Sequence, residues 1–203
     1  SGTVQLSSNI VITELKDGGT SNYDVPASAT LWLDNANVTM RGNAALVVYG
    51  KVLVSGPLTQ LRVESGSGIT MRGTGAFEVQ GGNVAINQFR TSNQGASQKG
   101  AYVQSGGTVV VDNTIGGGAN ANYFLFDLAE FENSFTMSGG TLHVKYDRHD
   151  GDDSKGAIFI NCSETNVNVT GGNVIVETLD GIPGNATCKI SSIAPFYNLT
   201  LRN

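Results

Sequence analysis

Apolar and polar residues alternate along this chain in short runs that turn at paired glycines. The block apolar-x-apolar-x-Gly-Gly-x-apolar-x-apolar appears as F-E-V-Q-G-G-N-V-A-I from Phe77, as F-T-M-S-G-G-T-L-H-V from Phe135 and as V-N-V-T-G-G-N-V-I-V from Val167. Alternation with period two buries one side of a strand. A Gly pair between two such runs marks a corner too tight for a Cβ. Strand, corner, strand, recurring at similar spacing, is the pattern of a β-solenoid. The Gly-Gly corners begin at Gly81, Gly106, Gly139 and Gly171, in steps of 25, 33 and 32. Two further echoes suggest a similar period. T-M-R-G recurs from Thr39 to Thr70, a step of 31, and Q-K-G-A-Y-V at Gln98 resembles S-K-G-A-I-F at Ser154, 56 residues on. Coils of variable length around a constant core suit a parallel β-helix, whose insertions leave from the corners. The expectation is a single all-β block over residues 1–203: a right-handed parallel β-helix (β-solenoid) of roughly six or seven coils.

Alternation also predicts which side chains fill the bore. The inward set is Val38, Met40, Leu46, Val48, Ile69, Met71, Phe77, Val79, Val84, Ile86, Phe135, Met137, Leu142, Val144, Val167, Val169, Val174 and Val176. The run before Gly106 breaks the rule, because its inward slots fall on Tyr102 and Gln104. A one-residue slip would place Ala101 and Val103 inside and spare a buried amide, and this is the preferred reading. In N-Y-F-L-F-D-L-A-E-F-E-N-S-F from Asn122, residues Tyr123 to Asp127 read as a strand and the rest as a corner.

Composition narrows the class. Gly numbers 27 but Pro only 4, and charged residues make up 14%, which separates the chain from Gly/Pro-rich disordered linkers. The net charge is −5, so no basic stripe offers counterion release and nucleic acid is not an expected partner. No apolar run approaches the ~18 residues of a membrane span, so membrane insertion is not expected. The chain opens on S-G-T-V-Q-L without an initiator Met or a signal-peptide pattern. That predicts a processed protein or a piece of a longer repeat protein.

Candidate chemistry is sparse. The most polar stretch, Y-D-R-H-D-G-D-D-S-K-G, carries Asp147, Asp150, Asp152 and Asp153. It reads as a solvated insertion, as a Ca²⁺ loop, or as acid/base carboxylates. The EF-hand and G-G-x-G-x-D calcium patterns are absent, which favours the solvated insertion; Ca²⁺ stays the one cofactor candidate, and no other is expected. His143 and His149 read as exposed polar residues. No nucleophile elbow, Rossmann or P-loop fingerprint occurs, and no enzymatic activity is expected. Cys162 and Cys188 lie 26 residues apart, close to one coil. Stacked residues sit ~4.8 Å apart, within reach of a disulfide; two unrelated thiols are the alternative. Asn37, Asn161, Asn168, Asn185 and Asn198 open N-x-S/T sequons, candidates for glycosylation that fit an Asn/Thr-rich strand surface equally well.

The closing phrase I-A-P-F-Y-N-L-T-L from Ile193, with the blocks S-G-G-T-L-x-V and T-G-G-N-V-I-V, resembles the β-helix repeat regions of very large surface proteins of Bacteroidota. Those proteins leave the cell by type IX secretion and include gliding-motility adhesins. The resemblance spans most of Leu31 to Leu201 and carries over no catalytic residue. It implies an extracellular, cell-surface repeat segment, a spacer or surface-contact filament. Its partners would be adjacent repeats of the same chain and surface polysaccharide or other glycans. The alternative is a carbohydrate-active or carbohydrate-binding β-helix module, lyase- or hydrolase-like.

Overall fold

The computed structural model describes residues 2–12, 22–41, 45–64, 68–91, 99–115, 124–146, 156–178 and 188–202, and there the alternating runs form strands that line up in three rows. The first row holds β1 (Gly2–Leu6), β4 (Ala29–Asp34), β7 (Lys51–Ser55), β10 (Ala76–Val79), β13 (Ala101–Gln104) and the front halves of β16 (Ser134–Tyr146) and β18 (Val167–Thr178). The second holds β2 (Ile10–Ile12), β5 (Asn37–Arg41), β8 (Gln60–Glu64), β11 (Asn83–Ile86), β14 (Thr108–Asp112), the rear halves of β16 and β18, and β20 (Asn198–Arg202). The third holds β3 (Tyr23–Val25), β6 (Leu46–Val48), β9 (Ile69–Met71), β12 (Phe89–Thr91), β15 (Phe126–Leu128), β17 (Ile158–Ile160) and β19 (Ile190–Ser192).

Each strand pairs in parallel with the next member of its row. The chain is therefore all-β, and its parallel sheet curls tightly round one apolar core, consistent with a β-solenoid. Helix is confined to short 3₁₀ turns such as Glu164–Asn166 among the described residues. The first and second rows join where β16 runs through the Gly139-Gly140 corner, pairing with β13 before it and with β14 after it.

The Gly-Gly corners do stack, and stacking is why they need glycine. Gly107 sits at φ +66°, and a Cβ there would lie 2.6 Å from the Gly82 carbonyl oxygen of the adjacent corner. No L side chain fits such an approach.

The bore is filled by columns of like residues. Phe77, Tyr102 and Phe135 stack along the first row, with centroids 6.4 and 5.6 Å apart. Phe89 and Phe126 stack at 5.1 Å along the third. The two columns meet edge-on across the bore, Tyr102 against Phe126 at 5.0 Å. The predicted inward set is buried except for Val167 and Val169, which pack half-exposed against the core. Among the described residues no strand of the first row follows β18 to cover them.

Three expectations need correction. The strand before Gly106 does not slip: Tyr102 and Gln104 are fully buried, while Ala101 and Val103 face outward. Aromatic stacking with Phe77 and Phe135 holds the register. The Gln104 amide is satisfied there, accepting from the Tyr102 hydroxyl at 2.7 Å and donating to the corner carbonyls of Gly106, Gly107 and Thr141 at 3.3, 3.3 and 3.1 Å. The T-M-R-G echo is not a coil repeat either. Thr39 lies in the second row and pairs with Arg62, 23 residues on, whereas Thr70 lies in the third row. Likewise Ala101 opens a first-row strand, but Ala157 precedes a third-row one. Every row obeys the same alternation, so short echoes can match across rows.

Candidate binding groove

The outer face of the second row carries an open concavity. In β5, Arg41 is the outward residue beside Glu64 of β8, and Thr39 is beside Arg62. Glu64 accepts from Arg41 Nε at 2.8 Å and from Arg62 Nε at 2.5 Å. The Arg62 hydrogen bond, followed by that of Arg41, holds the Glu64 carboxyl below its usual range, against some desolvation. One carboxylate thus sits between two guanidiniums, and only the Nε of each is engaged. Their Nη groups meet no further side-chain partner among the described residues.

Beyond this triad the wall drops away. The residue of β11 beside Arg62 is the small Ala85, followed by Val110 of β14. The register position between Glu64 and Asp112 falls to Asn87, which is fully buried and leaves no side chain standing there. The result is a cavity of about 500 Å³ lined by Arg41, Arg62, Glu64, Ala85, Val110, Asp112, Thr114 and Ile115. Its far wall is the turn after β14. Asp112 Oδ1 accepts there from Thr114 N at 2.9 Å and Thr114 Oγ1 at 2.6 Å. Arg62 and Glu64 of β8 are two strands from this wall, about 10 Å at ~4.8 Å per strand, and Arg41 of β5 is one strand further.

The outer side of the third row is unlike the other two. Three of its outward residues, Val47, Thr70 and Asp127, are only 1%, 3% and 7% exposed, while Arg90 and Phe159 are half-buried and Asp24 is exposed. Asp127 neighbours Arg90 across the strand pair. Burial pushes its carboxyl up to about 7, partly offset by the Arg90 charge and reinforced by Glu130. Asp127 Oδ1 is buried with no hydrogen-bond partner, as are both polar atoms of the Asn87 amide.

The residues singled out in the sequence are scattered. Asp147, Asp150, Asp152 and Asp153, the Ca²⁺ candidates, lie outside the described residues, as does Asn185. Among the described residues no group of three or more His, Cys, Asp or Glu side chains could hold a metal ion, and no helix is long and apolar enough to cross a membrane. Asn37, Asn161, Asn168 and Asn198 are all exposed. Asn198 donates to Asn173 Oδ1 at 3.1 Å, and Asn161 to the Ala129 carbonyl at 3.3 Å. His143 faces outward and is half-buried, with Nε2 2.7 Å from Glu177 Oε2 on the next strand.

The disulfide expectation is corrected. Cys162 and Cys188 are free thiols. Ile158 pairs with Ile190, a step of 32 rather than 26, which sets Cys188 beside Gly156. Cys162 lies six positions further along, on the order of 20 Å at ~3.3 Å per residue, and no bridge spans that. Burial pushes both thiols up to about 11.

The groove went unread in the sequence because its residues are spread over Arg41 to Ile115. The available signal was the step itself: Arg41 and Glu64 are 23 apart, the same step that separates Gln60 from Asn83. No known protein family, no characterised protein and no solved structure matches the chain, so its functional reading rests on its own residues.

Proposed function

We propose that this chain is an extracellular structural and adhesive segment: a right-handed parallel β-helix of roughly seven coils whose end faces stack against further coils of a longer cell-surface filament. The observation that carries the reading is the state of the bore at its two ends. Val4, in register with buried Leu31, is 57% exposed at one end. Leu199 and Leu201, in register with buried Val174 and Val176, are 45% and 66% exposed at the other. These apolar columns stop in solvent, beside strand edges whose N–H and C=O groups seek partners. By register the second-row columns that end at Leu199 and Leu201 begin at Ile10 and Ile12. A strand with apolar residues at the same slots, such as the leading end of a second copy, would continue them. The exposed sequons at Asn37, Asn161, Asn168 and Asn198 and the resemblance to type IX-exported adhesins support a surface location. No catalytic role is part of this reading.

Sedimentation velocity over a range of concentrations tests it. Open ends predict concentration-dependent end-to-end association, abolished by the double substitution Leu199→Lys, Leu201→Lys. A monomer at every concentration, with no binding of an apolar dye, refutes it.

A further inference from the structure

We propose that the groove on the second row binds an acidic sugar, specifically a hexuronate unit of a polysaccharide, with Arg41 and Arg62 holding its carboxylate. This goes beyond the filament reading and does not depend on it, because the groove lies on the side wall and the stacking surfaces lie at the ends.

The charge balance selects an anion. Two guanidiniums face one carboxylate, so a single positive charge is left over at the Arg41–Glu64–Arg62 wall. Glu64 takes only the two Nε donors. The Nη donors remain for a ligand, and a planar carboxylate matches a guanidinium fork. Glu64 stays ionised because Arg62 and Arg41 hold its carboxyl low, so it keeps both guanidiniums aimed.

The opposite wall selects what the anion is attached to. Asp112 keeps Oδ1 on the Thr114 turn, and its Oδ2 has no side-chain partner among the described residues. A free carboxylate oxygen accepts from hydroxyls and repels a second anionic group. Inorganic phosphate and other compact anions therefore gain nothing from this wall. The α-carboxylate and α-ammonium of an amino acid share one carbon and cannot together touch walls about 10 Å apart at ~4.8 Å per strand. A pyranose uronate separates its carboxylate from its C2 and C3 hydroxyls by the width of the ring. That geometry lets one end meet Arg41 and Arg62 while the other meets Asp112 and Thr114. The floor between the walls is Ala85 and Val110, with Ile115 beside it, an apolar surface suited to the C–H face of a sugar ring. Among the described residues the groove lies open at the surface, which suits a ring within a longer polysaccharide.

Titration calorimetry of the full chain with a galacturonate trimer tests this, with a neutral galactose trimer and inorganic phosphate as comparison probes. Binding of the uronate trimer alone is expected, weakening as salt is raised. Arg41→Gln and Arg62→Gln should each weaken it at least tenfold. Ala85→Tyr, which points outward and fills the floor without touching the bore, should abolish it while leaving the melting temperature in place. That variant keeps the test decisive if either arginine substitution loosens the wall. Absence of uronate binding, equal binding of the neutral trimer or of phosphate, or undiminished binding by Ala85→Tyr each overturns the proposal.

Discussion

Replacing Gln104 with Met should cost stability on its own, and much less once Tyr102 is also changed to Phe. The two side chains occupy bore columns that are otherwise apolar. Tyr102 stands between Phe77 and Phe135, and Gln104 between Val79 and Met137. Both are fully buried, and burial pushes the Tyr102 hydroxyl far above its usual range. That hydroxyl donates to Gln104 Oε1 at 2.7 Å. Tyr102→Phe removes the donor and strands a buried carbonyl oxygen, a cost of about 1–3 kcal/mol. Gln104→Met strands the Tyr102 hydroxyl instead, at a similar cost of about 1–3 kcal/mol. It also withdraws the amide from the corner, although the Gly107 carbonyl keeps its bond from Thr141 N at 2.9 Å.

The double variant leaves no polar side chain in either column. It reproduces the Phe135/Met137 pair of the adjacent strand, so the stranded-partner penalty vanishes from both sides. A double-mutant cycle by urea unfolding should therefore give a coupling of at least about 1 kcal/mol, with the double variant costing less than the two singles combined. The slope of free energy against urea should stay constant, because the exposed area is the same. Additive costs, within about 0.3 kcal/mol, would show that the hydroxyl and amide do not satisfy each other.

Further outcomes follow from other sites. Asp127 titrates near ~3.9 when unfolded but is pushed up to about 7 in the fold. The folded state thus holds the proton more tightly. Stability from this group is fully present below the unfolded value and is lost as pH rises through about 7. Melting curves taken across that interval should lose this slope in Asp127→Asn; an unchanged slope would assign the titration elsewhere. Gly107→Ala should destabilise by several times more than Gly73→Ala. Both positions have positive φ, but a Cβ at Gly73 meets nothing nearer than Tyr49 at 4.0 Å, so only the left-handed penalty of about 1 kcal/mol remains there. Urea midpoints of the two variants check this, and equal costs would remove the corner clash from the account. Intact mass should not change on reduction, and Cys162, fully buried, should resist alkylation until the chain unfolds. A two-hydrogen gain on reduction would contradict the register between β17 and β19.

The parts of the fold legible in the sequence are those where alternation meets a glycine corner. β10 with β11, and the long β16 and β18, turn at Gly-Gly pairs, and their inward residues follow the period-two rule. The third row was hidden for a physical reason. Its strands L-V-V, I-T-M and F-D-L are buried on both faces, so alternation loses its contrast. The steps between its members also range from 20 to 37, which blurs any period. Gln104 was misjudged because the cost of a buried amide was weighed without the carbonyls of its own Gly106-Gly107 corner and without that of Thr141, which the neighbouring coil brings within reach. The cysteine pair failed on the same ground: coil length changes along the chain, and a 26-residue separation is no register where the step is 32.

The outer faces of such a stack are free to carry chemistry because they contribute little to holding it together. Lys51 pairs with Glu78 at 2.5 Å, and His143 meets Glu177 at 2.7 Å, one basic partner for each carboxylate. Exposed pairs of this kind are worth about 0–1 kcal/mol. At Arg41, Glu64 and Arg62 a second guanidinium joins a carboxylate that already has one. For stability the addition is close to neutral, since the same carboxylate is shared and the two cations repel each other. Charge repulsion at a half-exposed surface is tolerated where something else balances it. Lys145 occupies the register position beyond Asp112, on the side away from Arg41 and Arg62. The surplus faces a cavity floored by Ala85 and Val110. A purely stabilising role predicts that removing either arginine lowers the melting temperature and leaves uronate affinity unchanged. A ligand-holding role predicts that the melting temperature stays put while affinity for the uronate falls.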